Sequence, residues 1–249
     1  MKNYNAYKFI VVLLLLSTML ASVSCKNNIN SDKDMKAIAL IMHFPQSLHV
    51  LDKNKFVYIK DTSALFYYKD SILFRLRPTF VFETDAPIPG TAPYFIYKQT
   101  DSVGFLFRSK DARGIKLKLD SFLAKNMIRG DEFYVSYYYP GKLGPVIKKE
   151  GQVVVETFYG KQRPGRLRPD SASYYFTNAL SDIPYTFSKK LDSSKGMRLY
   201  KVRLFSDSVA MPDKTMFPPR NFLFEYGRLA NYNKRDVIQL FHQFSSRLK

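Results

Sequence analysis

Few residues of this 249-residue chain have the types and spacing that metal binding or catalysis requires. His43 and His49 flank Pro45, so a turn there would bring two imidazoles together, but no acidic residue lies between them to complete a metal site. His242 falls on the polar side of a helical stripe, where a solvated imidazole is expected. The sequence therefore predicts no metal site and no cofactor.

An adjacent pair of acids and a glycine-containing segment are the other candidates for chemistry. Asp131 and Glu132 would divide general acid and general base work only if their surroundings separated their pKa values. Residues 160–167 (GKQRPGRL) copy part of a phosphate-binding loop, but Arg166 and Leu167 replace the lysine and the hydroxyl residue that the motif requires. We expect a basic surface loop there and no enzyme, with a carboxylate-dependent hydrolase as the less favoured alternative.

The most distinctive pattern in the sequence is a repeated pair of cations. The chain carries 39 Lys and Arg against 21 Asp and Glu, a formal net charge of +18. In three segments, apolar and polar residues alternate, and the polar side of each segment carries two cations separated by one residue. The pairs are Arg75 and Arg77, Lys116 and Lys118, and Lys201 and Arg203. If these segments are neighbouring strands, they form one electropositive face that contacts an anionic lipid, a glycan or an envelope protein. A solvated face without a ligand is the alternative.

The first 24 residues have the organisation of a cleaved export signal. Lys2 and Lys8 give a basic start, residues 9–16 (FIVVLLLL) are continuously apolar, and residues 17–24 are mostly small. The apolar stretch 9–21 is shorter than the roughly 20 residues that a membrane-spanning helix needs. Residues 1–24 are therefore predicted to be a signal peptide, and they take no part in the predicted fold.

The only cysteine, Cys25, follows this segment directly in residues 20–25 (LASVSC). Here the chain resembles a bacterial lipoprotein, in which a lipid-modified cysteine becomes the first mature residue. Ser24 supplies the small residue that the family pattern has before the cysteine, whereas Ser22 stands where the family prefers leucine. The resemblance covers residues 1–25 and implies that a lipid on Cys25, of the palmitate type, anchors the protein to a membrane.

The same resemblance implies a location. Lys26 stands where an aspartate would resemble an inner-membrane retention signal, so the expected place is the outer membrane of the bacterial cell envelope, facing the periplasm or the cell surface. Residues 25–35 are polar and predict a tether, nine residues of which reach about 15–18 Å. Export also argues against nucleic acid as a partner.

Alternation of apolar and polar residues dominates the rest of the chain. The 18 Tyr and 21 Phe, with no Trp, suit pleated sheets. Residues 35–44 favour a strand over a short helix, and further strands are predicted at 56–60, 64–68, 72–77, 79–83, 94–98, 103–108, 115–119, 133–139, 152–159, 173–177, 200–204 and 221–226. Short connections at residues 69–70 and 99–102 predict hairpins, and therefore antiparallel pairing.

Helix signals are few. Asn233 is predicted to cap a final helix whose apolar stripe is Val237, Leu240, Phe241, Phe244 and Leu248. A shorter helix is predicted from Asp120 or Ser121 to Met127. The expected fold is mainly β, an antiparallel sandwich or curved sheet with a C-terminal helix packed on it, in a single domain over residues 36–249.

The sequence therefore favours an outer-membrane lipoprotein that acts as a non-enzymatic binding or structural module with a basic surface. A carrier that holds a small apolar ligand between its sheets is the main alternative, because Phe and Tyr at strand spacing suit a lined cavity as well as a core. A carrier requires a large apolar cavity, a binding module requires an exposed patch, and an enzyme requires convergent acids with shifted pKa values.

Overall fold

A computed structural model describes residues 35–47, 56–76, 80–81, 86–87, 92–126, 144–160, 169–210 and 216–247. The strands in these ranges are β1 (Lys36–Ser47), β2 (Phe56–Tyr68), β3 (Ser71–Arg75), β4 (Phe80–Val81), β5 (Ala86–Pro87), β6 (Tyr94–Lys98), β7 (Val103–Phe107), β8 (Ile115–Lys118), β9 (Val146–Glu150), β10 (Val153–Tyr159), β11 (Ser171–Thr177), β12 (Arg198–Ser206), β13 (Val209–Ala210), β14 (Met216–Phe217) and β15 (Arg220–Arg228). The helices are α1 (Leu119–Lys125), α2 (Lys189–Lys195) and α3 (Lys234–Ser246).

Eleven of these strands form one antiparallel sheet in the order β8-β7-β6-β3-β2-β1-β15-β12-β11-β10-β9. β4 pairs with β5, and β13 pairs with β14, as separate two-stranded sheets. The predicted class, mainly antiparallel β with a C-terminal helix, is confirmed. The predicted strand 133–139, the signal peptide 1–24 and residues 25–34 of the tether lie outside the described residues, whereas Met35, the last residue of the predicted tether, is buried in the domain.

β1 occupies the centre of the large sheet and settles the ambiguity of residues 35–44 in favour of a strand. It pairs with β2 along its whole length and with β15 from Ile38 to His43. The pairing of β1 with β15 ends at His43, before Pro45. Because proline has no backbone N–H, its place after this point leaves the hydrogen bonds between β1 and β15 intact. The strand runs through Pro45 to Ser47, so the turn expected between His43 and His49 does not begin at this proline. His49 is not among the described residues.

Both predicted hairpins are present. Lys69 and Asp70 connect β2 to β3, and Lys69 adopts a left-handed conformation with φ of 55°. Ser71 Oγ donates to Asp70 Oδ1 at 3.1 Å, and Lys98 Nζ lies 3.3 Å from Asp70 Oδ2. The hydrogen bond from Ser71, followed by the contact with Lys98, lowers the pKa of the Asp70 carboxyl. Gln99 donates its backbone N–H to the carbonyl of Asp70, which joins this hairpin to the next.

One face of the sheet packs against α3. Asn233 caps this helix by accepting from the backbone N–H groups of Arg235 and Asp236. The helix buries four of the five residues of the predicted stripe, Val237, Leu240, Phe241 and Phe244, and the fifth, Leu248, lies outside the described residues. Phe244 is fully buried and stacks on Phe107 of β7, with ring centroids 4.3 Å apart. The docking of the C-terminal helix therefore follows the predicted stripe.

The opposite face carries the larger core cluster. This cluster runs from Phe95 of β6 to Phe158 of β10 and includes the fully buried Tyr174 and Tyr226. α2, which the sequence analysis did not predict, covers part of it. Ser188 begins α2 by accepting from the N–H of Leu191, and Gly196 ends it with φ of 65°. Within the described ranges, no helix is both long enough and apolar enough to cross a bilayer.

Candidate ligand-binding cavity

The short helix α1 positions the candidate site. It follows β8 without a connecting loop, and Asp120 in its first turn complements the positive end of the helix dipole. Phe122 is its only buried side chain. The ring of Phe122 stacks on that of Phe95, with centroids 3.7 Å apart and an interplanar angle of 16°. This aromatic pair packs α1 on the sheet, and the half-buried Leu119 and Leu123 of α1 pack against the same core cluster.

A glycine in the neighbouring strand makes room for that pair. Gly104 lies in β7 beneath the Phe95 ring, and a Cβ at this position would lie 2.2 Å from Cζ of Phe95. No side chain other than hydrogen fits at that distance without moving the ring. Gly104 therefore sets how closely the Phe95 ring approaches β7, and the Phe95 ring in turn sets the distance between α1 and the sheet.

A cavity of about 510 Å³ lies between α1 and the sheet. Its apolar lining residues are Met42, Phe74, Leu76, Pro93, Leu106, Leu117 and Phe122. Its polar lining residues are Asp61, Ser63, Lys118, Ser121, Lys125 and Asn126. Small-molecule sites have similar dimensions, about 300–1,000 Å³, and a similar combination of apolar walls with a few polar groups. The cavity is therefore large enough and apolar enough to hold a small ligand.

The polar residues lie at recognisable places around this cavity. Lys118 ends β8 directly before α1, Ser121 and Lys125 lie within α1, and all three are exposed. Asp61 and Ser63 belong to the part of β2 that extends past β3, because β3 pairs with β2 only from Ala64 onward. Two cations therefore stand at the rim, and the apolar residues form the interior.

Three tyrosines belong to the same face of the sheet. Burial raises the pKa of Tyr97 to about 12. Burial raises the pKa of Tyr67 further, with smaller contributions from Tyr97 and Tyr226, and burial likewise raises the pKa of Tyr226. All three phenols are protonated at neutral pH and belong to the buried core or its margin, outside the lining of the cavity.

The three predicted cation pairs lie on strands that are not neighbours. β8, β3 and β12 occupy the first, fourth and eighth positions of the sheet, so seven steps of about 4.8 Å separate β8 from β12. Lys116 and Arg75 lie opposite Phe105 and Tyr94, which places both cations on the face that α3 covers in part. Lys118 lines the cavity.

The pair on β12 has partners nearby. Lys201 Nζ lies 3.5 Å from Glu225 Oε2 and 5.0 Å from the centre of the Tyr175 ring. Arg203 Nε donates to Asn221 Oδ1 at 2.9 Å. Arg77 and the lipidation candidate Cys25 lie outside the described residues. The shared anion-binding role of the six cations stays a prediction.

The other residues considered for metal binding or catalysis are not brought together in one site among the described residues. His43 is half-buried in β1, and His242 is exposed on α3 with its ring edge-on to Tyr68 at 6.4 Å. In the described part of the chain, no three His, Cys, Asp or Glu side chains are grouped as a metal site would require. Asp131, Glu132 and residues 161–168 are not described.

The cavity itself was not predicted at residue level. One signal was available: an isolated glycine inside an alternating strand indicates close approach of another group, and Gly104 has that place in β7. Nothing in the sequence identifies Phe95 as the group that approaches, because the contact depends on the register between β6 and β7.

No family model and no curated protein matches this chain. Among solved structures, the chain is similar to a provisionally named outer membrane lipoprotein-sorting protein domain from Vibrio parahaemolyticus. The identity is 11%, the similarity covers 84% of this chain and 91% of that chain, and the TM-score is 0.28. At that TM-score the similarity supports no inference about fold or function.

Proposed function

We propose that this protein is a lipid-anchored protein of the bacterial envelope that binds a small apolar ligand in the cavity beneath α1. The observation that carries the ligand-binding part is the cavity itself, about 510 Å³ in volume with seven apolar lining residues. The anchoring part rests on the signal-like residues 1–24 and on Cys25 at their end. The proposal includes no catalytic step.

The lining sets the expected strength of binding. Each methylene group moved from water into an apolar site contributes about 0.8 kcal/mol, so a chain of about eight methylenes gains roughly 6 kcal/mol. Association also costs translational and rotational freedom, so this gain sets an upper limit on the affinity, a dissociation constant on the order of 40 μM or weaker. Binding of this strength is readily reversible, which suits a protein that takes up and releases its ligand.

The cavity favours this function over a module that acts through a basic face. Such a face requires the three cation pairs to adjoin, but they lie on strands that are not neighbours. Lys118 and Lys125 instead place positive charge at the rim of the cavity, where the polar end of a ligand would emerge. A carrier function therefore accounts for both the apolar interior of the cavity and part of the predicted positive charge.

A fluorescent dye tests the binding part. N-phenyl-1-naphthylamine, a neutral apolar probe, should bind the Cys25→Ser chain, which has no lipid to compete for the dye. Ser121 is exposed on α1 and lines the cavity, so Ser121→Trp should fill the entrance with little cost to folding and weaken dye binding at least about tenfold. Ser193→Trp makes the same change on α2, also at an exposed serine, and should leave binding unchanged.

Two results would contradict the proposed cavity function. One is the absence of dye binding by the unmodified cavity, and the other is equal binding by Ser121→Trp and Ser193→Trp. Thermal unfolding of both variants verifies that they remain folded, so a loss of binding reports on the cavity alone.

The anchoring part has its own test. In cells, the native chain should fractionate with membranes and carry a mass increase on the peptide that begins at Cys25. Cys25→Ser should remove the mass increase and release the protein from the membrane fraction. Membrane association with an unchanged mass in the variant would refute lipid anchoring without affecting the cavity proposal.

A further inference from the structure

A second cavity, the α3 cavity, lies on the other face of the sheet, between the start of α3 and the strands beneath it. Its volume is about 460 Å³, within the range of small-molecule sites. Three aromatic and three charged residues belong to its lining, and the lining surface is more polar than that of the cavity beneath α1. The two cavities therefore suit ligands of different chemistry.

Small side chains in one row across the sheet form the floor of the α3 cavity. Gly227, Ala39, Ala64, Arg75 and Tyr94 are successive partners on β15, β1, β2, β3 and β6. Directly paired residues of neighbouring strands lie on the same face of a sheet, so these five positions share the face that α3 covers. The glycine and the two alanines leave a depression in this face, and Arg75 and Tyr94 stand at one end of it.

The segment that enters α3 and the helix itself enclose this depression. Val237 and Leu240, two buried residues of α3, line the cavity from above. Tyr232 packs against Phe66 of β2, with ring centroids 5.5 Å apart and an interplanar angle of 57°. Together with Tyr94, these two rings line the cavity, and aromatic rings offer their faces and edges to a further ring. The walls therefore favour a ligand that contains an aromatic ring.

The charged residues of the lining are Arg75, Lys110 and Asp236. Asp236 lies in the first turn of α3, where a carboxylate is stabilised by the positive end of the helix dipole. Lys110 is held beside the helix, because Gln243 Nε2 donates to its backbone carbonyl at 3.1 Å and Arg247 Nη1 donates to the same oxygen. Two cations against one carboxylate leave the lining positively charged, which favours an anion.

Charged residues next to the lining do not reverse this sign. Lys234 and Arg235 precede Asp236 in α3, and both are exposed. Asp111, which follows Lys110, has a carboxylate oxygen 3.6 Å from Arg247 Nη2. Arg75 can therefore act as the principal anion ligand, and its planar guanidinium matches the two oxygens of a carboxylate.

We propose that the α3 cavity binds an aromatic carboxylate of one or two rings. The carboxylate contacts Arg75, and the ring lies among Phe66, Tyr94 and Tyr232. This ligand differs in charge and shape from the apolar ligand proposed for the cavity beneath α1, so neither proposal depends on the other. Ser63 and Leu76 line both cavities, and the variants that test the α3 cavity therefore leave these two residues unchanged.

A matched pair of probes tests the site: naphthalene-2-carboxylate and its neutral amide, naphthalene-2-carboxamide. In isothermal titration calorimetry the carboxylate should bind the Cys25→Ser chain at least about tenfold more tightly than the amide does. Arg75 is exposed, so Arg75→Gln should leave the fold intact, weaken binding of the carboxylate at least about tenfold and leave binding of the amide within about twofold. Ala64→Leu fills the floor of the cavity and should weaken binding of both probes, and thermal unfolding verifies that each variant is folded.

Arg203 supplies the charge control. It is an exposed arginine on β12, four strands from β3, and this separation of about 19 Å exceeds the Debye length of about 8 Å at physiological salt. Arg203→Gln should therefore leave binding of the carboxylate within about twofold of its value in the Cys25→Ser chain. Ser121→Trp, which fills the entrance of the cavity beneath α1, should leave it unchanged as well.

Three results would overturn the proposal. The first is that the carboxylate does not bind, or binds no better than the amide. The second is an equal loss of binding in Arg75→Gln and Arg203→Gln, which would show a response to net charge alone. The third is a loss of carboxylate binding in Ser121→Trp, which would place the anion in the cavity beneath α1.

Discussion

The two faces of the large sheet are covered by helices of different length, and they pack differently. α3 buries four apolar side chains, and Phe244 stacks on Phe107 while also contacting Tyr94 at 5.4 Å. α1 buries only Phe122, which stacks on Phe95. A cavity of about 510 Å³ lies beside Phe122, and a space of about 460 Å³ lies between the start of α3 and the sheet.

This difference separates stability from ligand binding. Burial of each large apolar side chain contributes about 1.5–3 kcal/mol, so the four buried residues of α3 contribute roughly 6–12 kcal/mol, comparable to the whole stability of a domain. α1 contributes one such residue. α3 therefore contributes more to folding stability than α1 does, and the region beside α1 can exchange a ligand at little cost to folding.

The largest contrast is expected between the two aromatic anchors. Phe244→Ala removes a fully buried ring from a packed layer and should lower the free energy of unfolding by about 3–5 kcal/mol. Phe122→Ala should cost less, about 2–3 kcal/mol, because its ring already borders empty space and loses fewer contacts. Urea unfolding of the two variants measures both values, and an equal loss at the two positions would remove the distinction between the faces.

A smaller contrast is expected between two strand glycines. Gly104→Ala places a Cβ 2.2 Å from the Phe95 ring, so it should displace the Phe95–Phe122 pair and cost about 1–3 kcal/mol. Gly227 lies in β15 with no atom within 4 Å of an added Cβ, and Gly227→Ala should be neutral or stabilise by up to about 1 kcal/mol. Dye binding should weaken only in Gly104→Ala. Unchanged stability and dye binding in that variant would refute the account of how α1 is positioned.

The smallest effect is expected from alkaline pH. Below pH 10 the Tyr97 phenol is protonated in both the folded and the unfolded chain, so it makes no difference to stability. Between pH 10 and its raised pKa of about 12, the phenol ionises only in the unfolded chain, and stability falls as pH rises. Tyr97→Phe should reduce the loss between pH 9 and pH 11 by about 1 kcal/mol. A loss of unchanged size in Tyr97→Phe would show that burial on the α1 face does not hold this phenol in its neutral form.

Local sequence patterns predicted the elements that a few consecutive residues determine. The stripe and cap of α3, the hairpin at Lys69 and Asp70, and the alternation of β1 are each encoded in a few consecutive residues. α2 was missed although Ser188 and Gly196 provide its cap and its end, because its residues 189–195 (KKLDSSK) have no apolar stripe. The cavity was missed because it is lined by residues from strands that are distant in sequence, such as Met42 and Leu117.

The cation pairs also show that local sequence does not predict which strands lie side by side. Alternation correctly places Lys201 and Arg203 opposite the apolar side of β12, but strand order decides whether two such pairs adjoin. Strand order is set by long-range pairing, which short segments do not encode. Local sequence therefore predicts which face of a strand is polar and leaves the extent of a shared surface undetermined.

The measurement that tests the central claim most directly is the location of a photoreactive apolar probe. A ten-carbon alkyl diazirine would be irradiated with the Cys25→Ser chain, which would then be digested with trypsin and analysed by mass spectrometry. Cleavage after Lys118 and Lys125 isolates α1 as the peptide 119–125, and cleavage after Arg235 and Arg247 isolates most of α3 as 236–247. Saturable labelling of 119–125 with little labelling of 236–247 is the predicted result. Equal labelling of the two peptides, or labelling that does not saturate, would contradict the claim that the α1 face binds the ligand.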